Sequence, residues 1–235
     1  MTTIVFNADL EALATKISFS VGETDVYITN GNAAKLTRNF ASGAAEGTVV
    51  GAPVVSAAST RFTGNSNYVN TQADDSENIT MIAIAKRPTG FAAVDAMALS
   101  NNGLGGVNIG CSLWYFANGN IGFSAARDNG SGSQTSGIVS TTPADPLAWA
   151  LVIGEAGTAN RFTNMTTDQT VLGANTNARF VSPAKFRIGS SYQETHTGQI
   201  DVMVCVVIPR VLTLAERDGV VAQLRTYALK HGVTV

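Results

Sequence analysis

The chain has 235 residues, of which 14% are charged, 45% are hydrophobic and 23 are glycines. Its formal net charge of −2 and its lack of any basic run exclude the electrostatic pattern of a nucleic-acid-binding protein. No apolar stretch is long enough to span a bilayer, so we expect no membrane insertion. The low charge and abundant glycine favour short strands joined by turns over long solvated helices.

The N-terminal segment lacks the basic and apolar regions of a secretory signal peptide. We therefore expect the protein to be made in the cytoplasm and not exported through such a peptide. A helical pattern covers residues 9–17, in which four apolar positions share one face. It lies within residues 1–25, which we interpret as an N-terminal docking arm ahead of one domain over residues 26–235.

Short alternating or apolar runs, separated by turns rich in Asn and Gly, indicate β-strands along most of the chain. The predicted strands cover residues 35–40, 61–63, 68–71, 79–86, 93–99, 111–116, 121–126, 137–140, 148–155, 160–164, 185–188 and 199–208. Asn and Gly tolerate the positive φ that tight hairpins demand. This spacing, without long helices between the strands, predicts an all-β, two-sheet antiparallel sandwich.

Two runs, residues 79–85 and 200–208, are largely apolar on both faces. A strand that is covered on both sides lies in the middle of a sheet, so both are predicted to be central strands. Cys205 lies inside the second run and is interpreted as a buried thiol. A disulfide between Cys205 and Cys111 is the alternative, because the sequence alone does not decide between them.

One well-defined helix is predicted over residues 213–231, at the end of the chain. Thr213 and Glu216 have the spacing of a capping box, in which each side chain satisfies a free backbone N–H group of the first turn. Lys230 and His231 lie in the last turn, where positive charge interacts favourably with the helix dipole, and Gly232 is positioned to end the helix. The helix therefore has a complete set of start and stop signals.

Apolar residues recur along this helix and are expected to pack on the sandwich or on a neighbouring subunit. The residues interpreted as candidate assembly contacts are Leu214, Val221, Leu224 and Tyr227. Together with the N-terminal arm they suggest a homo-oligomer, for which a trimer is one arrangement.

Four blocks of the sequence, in chain order, have the pattern of a known class of β-sandwich module. Residues 61–71 read F-x-G-x-x-x-Y-V-x-T, residues 78–86 form an apolar strand ending in lysine, and residues 148–153 form a strand that begins near Trp149. The last and most specific block combines residues 186–190, 198–202 and 210–216. Together these blocks resemble laminin-G-like and concanavalin A-like lectin domains of the kind found in bacteriophage structural and tail proteins.

This resemblance implies a jelly-roll sandwich over roughly residues 45–232 with a lectin-like role. The chain departs from the pattern at Thr197, where the family has an aromatic residue before the glycine. A shared fold does not identify a ligand, so the resemblance does not predict which ligand this chain binds.

Sugar binding uses aromatic faces against C–H groups and amide side chains for hydroxyls. Tyr192 is the better candidate for an exposed aromatic residue, and Trp114 is the second, with burial in the core as its alternative. Trp149 is expected to be a core residue. The amide-rich turns add three further candidates, Asn102, Asn118 and Asn120.

No cofactor is expected, and bound calcium is the alternative. Calcium takes several oxygen ligands from carboxylates, amides and carbonyls. The weak candidates for such a site are Asp74, Asp75 and Asp128, which lack the periodic spacing of a dedicated loop.

Catalytic residues are not recognisable in the sequence. A glycosidase needs two closely placed carboxylates, whereas Glu155, Glu194 and Asp201 each stand alone. The histidines, His196 and His231, have no identifiable nucleophile beside them. We therefore expect no enzymatic activity.

These features favour a non-enzymatic, lectin-like structural component of a virion, in a bacteriophage capsid decoration, tail or baseplate. Its expected partners are other virion proteins, further copies of itself and cell-surface polysaccharide. A free carbohydrate-binding protein is the alternative, and a glycoside hydrolase is a less favoured one.

Overall fold

The computed structural model describes residues 19–235. The predicted helix over residues 9–17, and with it most of the predicted N-terminal arm, lies outside the described residues. Residues 19–235 form fifteen β-strands, two short 3-10 turns and one α-helix. Within this range, no helix is both long and apolar enough to cross a membrane.

The strands form two antiparallel sheets. The first sheet contains, in spatial order, β13 (Gln169–Leu172), β12 (Asn160–Asn164), β11 (Ala150–Ala156), β6 (Ile79–Lys86), β15 (Gln199–Ile208), β4 (Thr60–Thr63) and β3 (Val54–Val55), with β1 (Asp25–Ile28) also paired to β15. The second sheet contains β10 (Gln134–Thr141), β9 (Ile121–Asp128), β8 (Cys111–Tyr115), β7 (Ala96–Ser100), β14 (Arg187–Ile188), β5 (Tyr68–Asn70) and β2 (Thr48–Val50). The predicted two-sheet antiparallel sandwich with a C-terminal helix is confirmed.

The two strands predicted to be central are central. β6 pairs with β11 on one side and with β15 on the other. One face of each strand packs between the sheets, and the opposite face lies under the helix and the loops that cover the first sheet. Burial on both faces explains the continuous apolar runs in these two strands.

Close packing between the sheets depends on a glycine at position 154. A Cβ atom added at Gly154 in β11 would lie 2.2 Å from Cδ2 of Phe123 in β9. The Phe123 ring is fully buried. Glycine is therefore required here because the aromatic ring occupies the space of a side chain.

The C-terminal helix, α1 (Leu214–Lys230), has the predicted boundaries and the predicted capping box between Thr213 and Glu216. It packs on the outer face of the first sheet, so three of the four candidate assembly residues, Val221, Leu224 and Tyr227, are buried within the chain itself. Only Leu214 is exposed. The three buried side chains are therefore not available to another subunit.

The described part of the predicted docking arm packs, like the C-terminal helix, on the outer face of the first sheet. Phe19 and Val21 are buried on the outer face of the first sheet, and the Thr24 N–H donates to the carbonyl of Val207. Residues 19–24 thus lie against the sandwich directly ahead of β1, and Asp25 is the first residue of that strand.

Other local differences from the sequence-based expectations have simple causes. Residues 35–40 do not form a strand: a 3-10 turn (Ala33–Lys35) precedes an irregular segment that buries Leu36 and Phe40 individually. Four short strands, β1, β2, β3 and β13, were not predicted. Cys111 and Cys205 are both free and buried, so the disulfide alternative is wrong and the buried-thiol interpretation of Cys205 is confirmed.

Candidate functional site

The outer face of the second sheet is covered by two loops, residues 101–110 and 189–198. The loops are joined where the Tyr192 N–H donates to the Asn102 carbonyl over 2.9 Å. The Asn108 side chain extends further and donates to the hydroxyl of Ser136 in β10. Serines beneath them, at positions 100, 112 and 124, are buried. The loops cover only part of this face, because Trp114 is partly exposed on it and Ile138 is 46% exposed.

Tyr192 and Asn102, two of the predicted sugar-binding residues, are already used inside the protein. The Tyr192 hydroxyl donates to the Lys185 carbonyl, and the Arg187 guanidinium lies 3.6 Å from the centroid of its ring. Asn102 is 4% exposed, and its side-chain amide donates to Asn108 and to the Ile109 carbonyl. The Asn102 amide is therefore occupied, and Arg187 covers one face of the partly exposed Tyr192 ring.

Trp114, by contrast, belongs to a partly exposed aromatic cluster. Its ring stacks on Phe116 with centroids 4.9 Å apart and meets the edge of His196 at 5.1 Å. All three side chains are partly buried. The cluster lies at the end of β8, where the chain enters the turn of residues 116–120.

That turn contains the two other predicted amides, Asn118 and Asn120. The Asn118 side-chain oxygen accepts from the Asn120 N–H, and the Asn120 side-chain oxygen accepts from the Thr142 hydroxyl over 2.9 Å. Gly119 has a φ of 89° and approaches Pro146. The turn therefore packs against the loop of residues 142–149, and within residues 19–235 neither side-chain NH₂ group has a hydrogen-bond partner.

The loop of residues 142–149 ends at Trp149, which lines a cavity of about 180 Å³. Asp145, Asn164 and Thr166 contribute polar groups to the same cavity. Trp149 is only partly buried, and the Lys86 ammonium lies 5.1 Å from the centroid of its ring. The expectation that Trp149 is a core residue is corrected: it precedes the first residue of β11 and lies at the end of the sandwich.

We refer to residues 116–120 and 142–149, with the Trp149 cavity, as the tryptophan end. The structure brings two of the predicted sugar-binding residues to it, namely Asn118 and Asn120, whereas Trp114 precedes it in β8 and contacts His196 on the outer face of the second sheet. Tyr192 and Asn102 lie toward the opposite end of the second sheet, because Asn102 follows the last residue of β7. Trp149 was missed because its position beside an apolar strand predicts burial.

The three candidate metal ligands have separate structural roles. Both oxygens of the buried Asp75 carboxylate lie 3.0 Å from the same Arg179 nitrogen, and they also accept from the backbone N–H groups of Ser76 and Ser182. Asp74 forms an exposed ion pair with Lys185. Asp128 accepts from backbone N–H groups in the turn after β9. Across residues 19–235, no group of three or more His, Cys, Asp or Glu side chains is placed to hold a metal ion.

His196 does have a hydroxyl partner that the sequence did not indicate. Its Nδ1 lies 2.9 Å from the Ser191 hydroxyl, which also accepts from the Gln193 N–H. Burial lowers the pKa of His196, and the charge of Asp95 opposes this effect. Ser191 is fully buried, so this pair stabilises the loop and does not present a nucleophile to substrate.

The fold was also compared with known proteins. No protein-family model matches the chain, and no curated protein sequence matches it either. Solved structures do match. The binding domain of Paraclostridial Mosquitocidal Protein 1 superposes with a TM-score of 0.64 at 12% identity, over 89% of this chain and 53% of that one.

Two further similar structures contain a bound sugar. The ligand-binding domain of botulinum neurotoxin serotype D, in complex with N-acetylneuraminic acid, matches with a TM-score of 0.60 at 11% identity, over 85% of this chain and 50% of that one. Trypanosoma rangeli sialidase in complex with sialic acid matches with a TM-score of 0.57 at 13% identity, over 86% of this chain and 33% of that one. The chain thus spans about half the length of the toxin domains, and at these identities the likeness shows a shared β-sandwich fold.

Proposed function

We propose that the protein is a lectin-like carbohydrate-binding module whose sugar-contact surface is the tryptophan end. The observation that carries this proposal is the partly exposed Trp149 ring in the wall of a cavity, whose loop is hydrogen-bonded through Thr142 to the turn that contains Asn118 and Asn120. The similar toxin and sialidase structures that hold sialic acids support the class of ligand.

The chemistry of this end suits a sugar. The Trp149 ring packs in part on the apolar cluster outside the first sheet and is approached by the Lys86 ammonium, and we propose that its remaining exposed surface contacts ring C–H groups. The side-chain NH₂ groups of Asn118 and Asn120 donate to hydroxyl oxygens, and the Asp145 carboxylate accepts from hydroxyl groups. The cavity is smaller than the roughly 300–1,000 Å³ typical of sites for drug-sized ligands, so it fits a single terminal sugar.

The proposal predicts saturable binding that depends on Trp149. Titration with N-acetylneuraminic acid and with bacterial surface polysaccharides should change the tryptophan fluorescence. Trp149→Leu keeps an apolar side chain but removes the aromatic face, so we expect affinity to fall about tenfold, as for the loss of one good aromatic contact. Calorimetric titration measures the change.

Tyr192→Phe is the matched control, because it alters an aromatic residue away from the tryptophan end and should leave affinity unchanged. Trp149→Phe leaves Trp114 as the sole fluorescent tryptophan and shows which of the two rings responds. Unchanged affinity in Trp149→Leu, or no saturable binding to any of these glycans, would overturn the assignment of this surface.

We further propose that the module is non-enzymatic and is a structural component of a virion, made in the host cytoplasm and assembled with other virion proteins and further copies of itself. The resemblance of residues 61–71, 78–86, 148–153 and 186–216 to modules of bacteriophage structural and tail proteins supports the placement in a particle. The burial of Ser191 next to His196 supports a binding role without a serine nucleophile.

Mass spectrometry of purified particles tests this placement. We expect peptides of this chain in particles that have been washed free of soluble protein. Its absence from particles, combined with saturable glycan binding, would favour the free carbohydrate-binding protein. Release of sugar products from a surface polysaccharide would instead favour the glycoside hydrolase.

A further inference from the structure

The end of the sandwich opposite the tryptophan end contains a buried carboxylate with a free oxygen. Glu155 in β11 is 2% exposed. Its Oε2 accepts from Nε of Arg161 over 2.6 Å, whereas its Oε1 has no hydrogen-bond partner within residues 19–235. A buried, charged acceptor without a donor is unfavourable, so an unpaired oxygen of this kind points to a missing partner.

Glu155 and Arg161 line a cavity of about 390 Å³. Asn78 and Thr158 add an amide and a hydroxyl, and Leu172 and Val211 add aliphatic groups. The volume falls within the roughly 300–1,000 Å³ range of small-molecule sites. The cavity therefore combines a few convergent polar groups with apolar walls, which is the composition of a ligand site.

Two features keep the cavity open at the surface. Leu172 lies on the edge strand β13 and is 68% exposed, so it forms part of the rim of the cavity. The Arg161 side chain is 26% exposed and lies over the carboxylate, so a rotation of this flexible side chain admits a ligand to Glu155.

We propose that this cavity binds a neutral sugar through two adjacent hydroxyl groups. One hydroxyl donates to Oε1 of Glu155, and its neighbour accepts from the terminal nitrogens of Arg161, while Leu172 and Val211 contact ring C–H groups. A carboxylate–guanidinium pair presents an acceptor and donors side by side, and a vicinal diol has the complementary groups. The pair has no net charge, which favours a neutral sugar over an acidic one.

This inference shares with the proposed function only the class of ligand, because the two surfaces are separate. β11 begins at Ala150, next to Trp149, and its other end leads into the turn of residues 157–159. Seven strand residues span about 20 Å. The chain therefore has two sugar sites facing opposite ways along one strand.

Two-dimensional amide NMR of the ¹⁵N-labelled protein tests the second site. The probes are glucose, galactose, mannose and N-acetylglucosamine at millimolar concentration. We expect shifts at residues 155–161 and 172 for at least one sugar. Glu155→Gln replaces the charged acceptor by a neutral amide and should weaken this binding about tenfold, the loss of one charge-assisted hydrogen bond.

Glu194→Gln removes an exposed carboxylate elsewhere and is the matched control, with no change expected. Leu172→Ala alters an exposed side chain that folding does not require, and it should also weaken binding if Glu155→Gln proves unstable. Trp149→Leu should leave the shifts at residues 155–161 intact.

The outcomes separate the two sites. Shifts confined to the tryptophan end would overturn the second site and leave the proposed function standing. Shifts at residues 155–161 that Glu155→Gln abolishes would support the second site, whether or not the tryptophan end responds to these neutral sugars. The absence of shifts at residues 155–161 and 172 with all four sugars would overturn the second site, while the first site is decided by the titration with N-acetylneuraminic acid and polysaccharides.

Discussion

Replacing Asp25 by asparagine should raise the free energy of unfolding above pH 7 and leave it nearly unchanged below pH 4. Asp25 is 3% exposed at the start of β1, and burial raises its pKa from an ordinary 3.8 to about 7. Hydrogen bonds from Thr24 and Asn39 lower its pKa and offset part of this effect. Asparagine removes the buried charge and retains an oxygen that accepts from Asn39.

The direction follows from proton binding. Between pH 3.8 and about 7 the folded state holds a proton on Asp25 that the unfolded state has released, so stability falls as pH rises through this window. The full difference corresponds to on the order of 4 kcal/mol above pH 7, at about 1.4 kcal/mol for each pKa unit. The unmodified protein should therefore lose stability between pH 4 and 7, whereas the variant should lose much less.

Urea unfolding at several pH values measures this difference. Glu46→Gln, which neutralises an exposed carboxylate, is the control and should keep the pH dependence of the unmodified protein. Parallel pH profiles for the unmodified protein and the Asp25 variant would show that the Asp25 pKa is not raised. Asp74 and Lys185 also act electrostatically on Asp25, with opposite signs, and both are retained in the experiment.

Asp75→Asn should destabilise the protein by about 3–5 kcal/mol, the usual cost of breaking a buried ion pair by removing one partner. The side chains of Asp75 and Arg179 are 0% and 2% exposed, so the substitution leaves a buried guanidinium without its carboxylate. It also weakens the acceptors for the Ser76 and Ser182 N–H groups. Urea unfolding measures the loss.

The neighbouring Asp74→Asn is the matched control. Its pair with Lys185 is exposed, so we expect a change of no more than about 1 kcal/mol. Both measurements should be repeated with calcium and with a chelator. A loss at Asp75 that occurs only when calcium is present would contradict the ion-pair explanation and favour a metal site.

Strands with an apolar run, or with turn residues at both ends, could be predicted from the sequence, and irregular segments could not. β6, β12 and β15 have the predicted boundaries, as does α1 with its capping signals. β13 is largely exposed. Its four residues do not alternate between apolar and polar side chains, because neither face of the strand is fully buried. Residues 35–40 were predicted to form a strand, yet their two apolar side chains, Leu36 and Phe40, reach the core from an irregular segment.

The candidate site was only partly predictable for a similar reason. Turn composition correctly placed Asn118 and Asn120 in a surface turn, because Asn and Gly favour tight turns wherever they occur. The internal bonds of Asn102 and Tyr192 depend on loops that are distant in sequence. Glu155 was judged to stand alone, and its partner Arg161 is identified only by the register between β11 and β12.

The position of β15 in the first sheet has a consequence for the order of folding during synthesis. β15 is the last strand of the chain, yet it lies between β6 and the strands β4 and β1. Until it leaves the ribosome, the first sheet exists only as three unconnected parts, namely β6 with β11, β12 and β13, β4 with β3, and β1 alone. A chain that stops before Gln199 lacks the strand that joins them. Completion of the fold therefore waits for the last part of the chain, and its many long-range contacts favour slow folding.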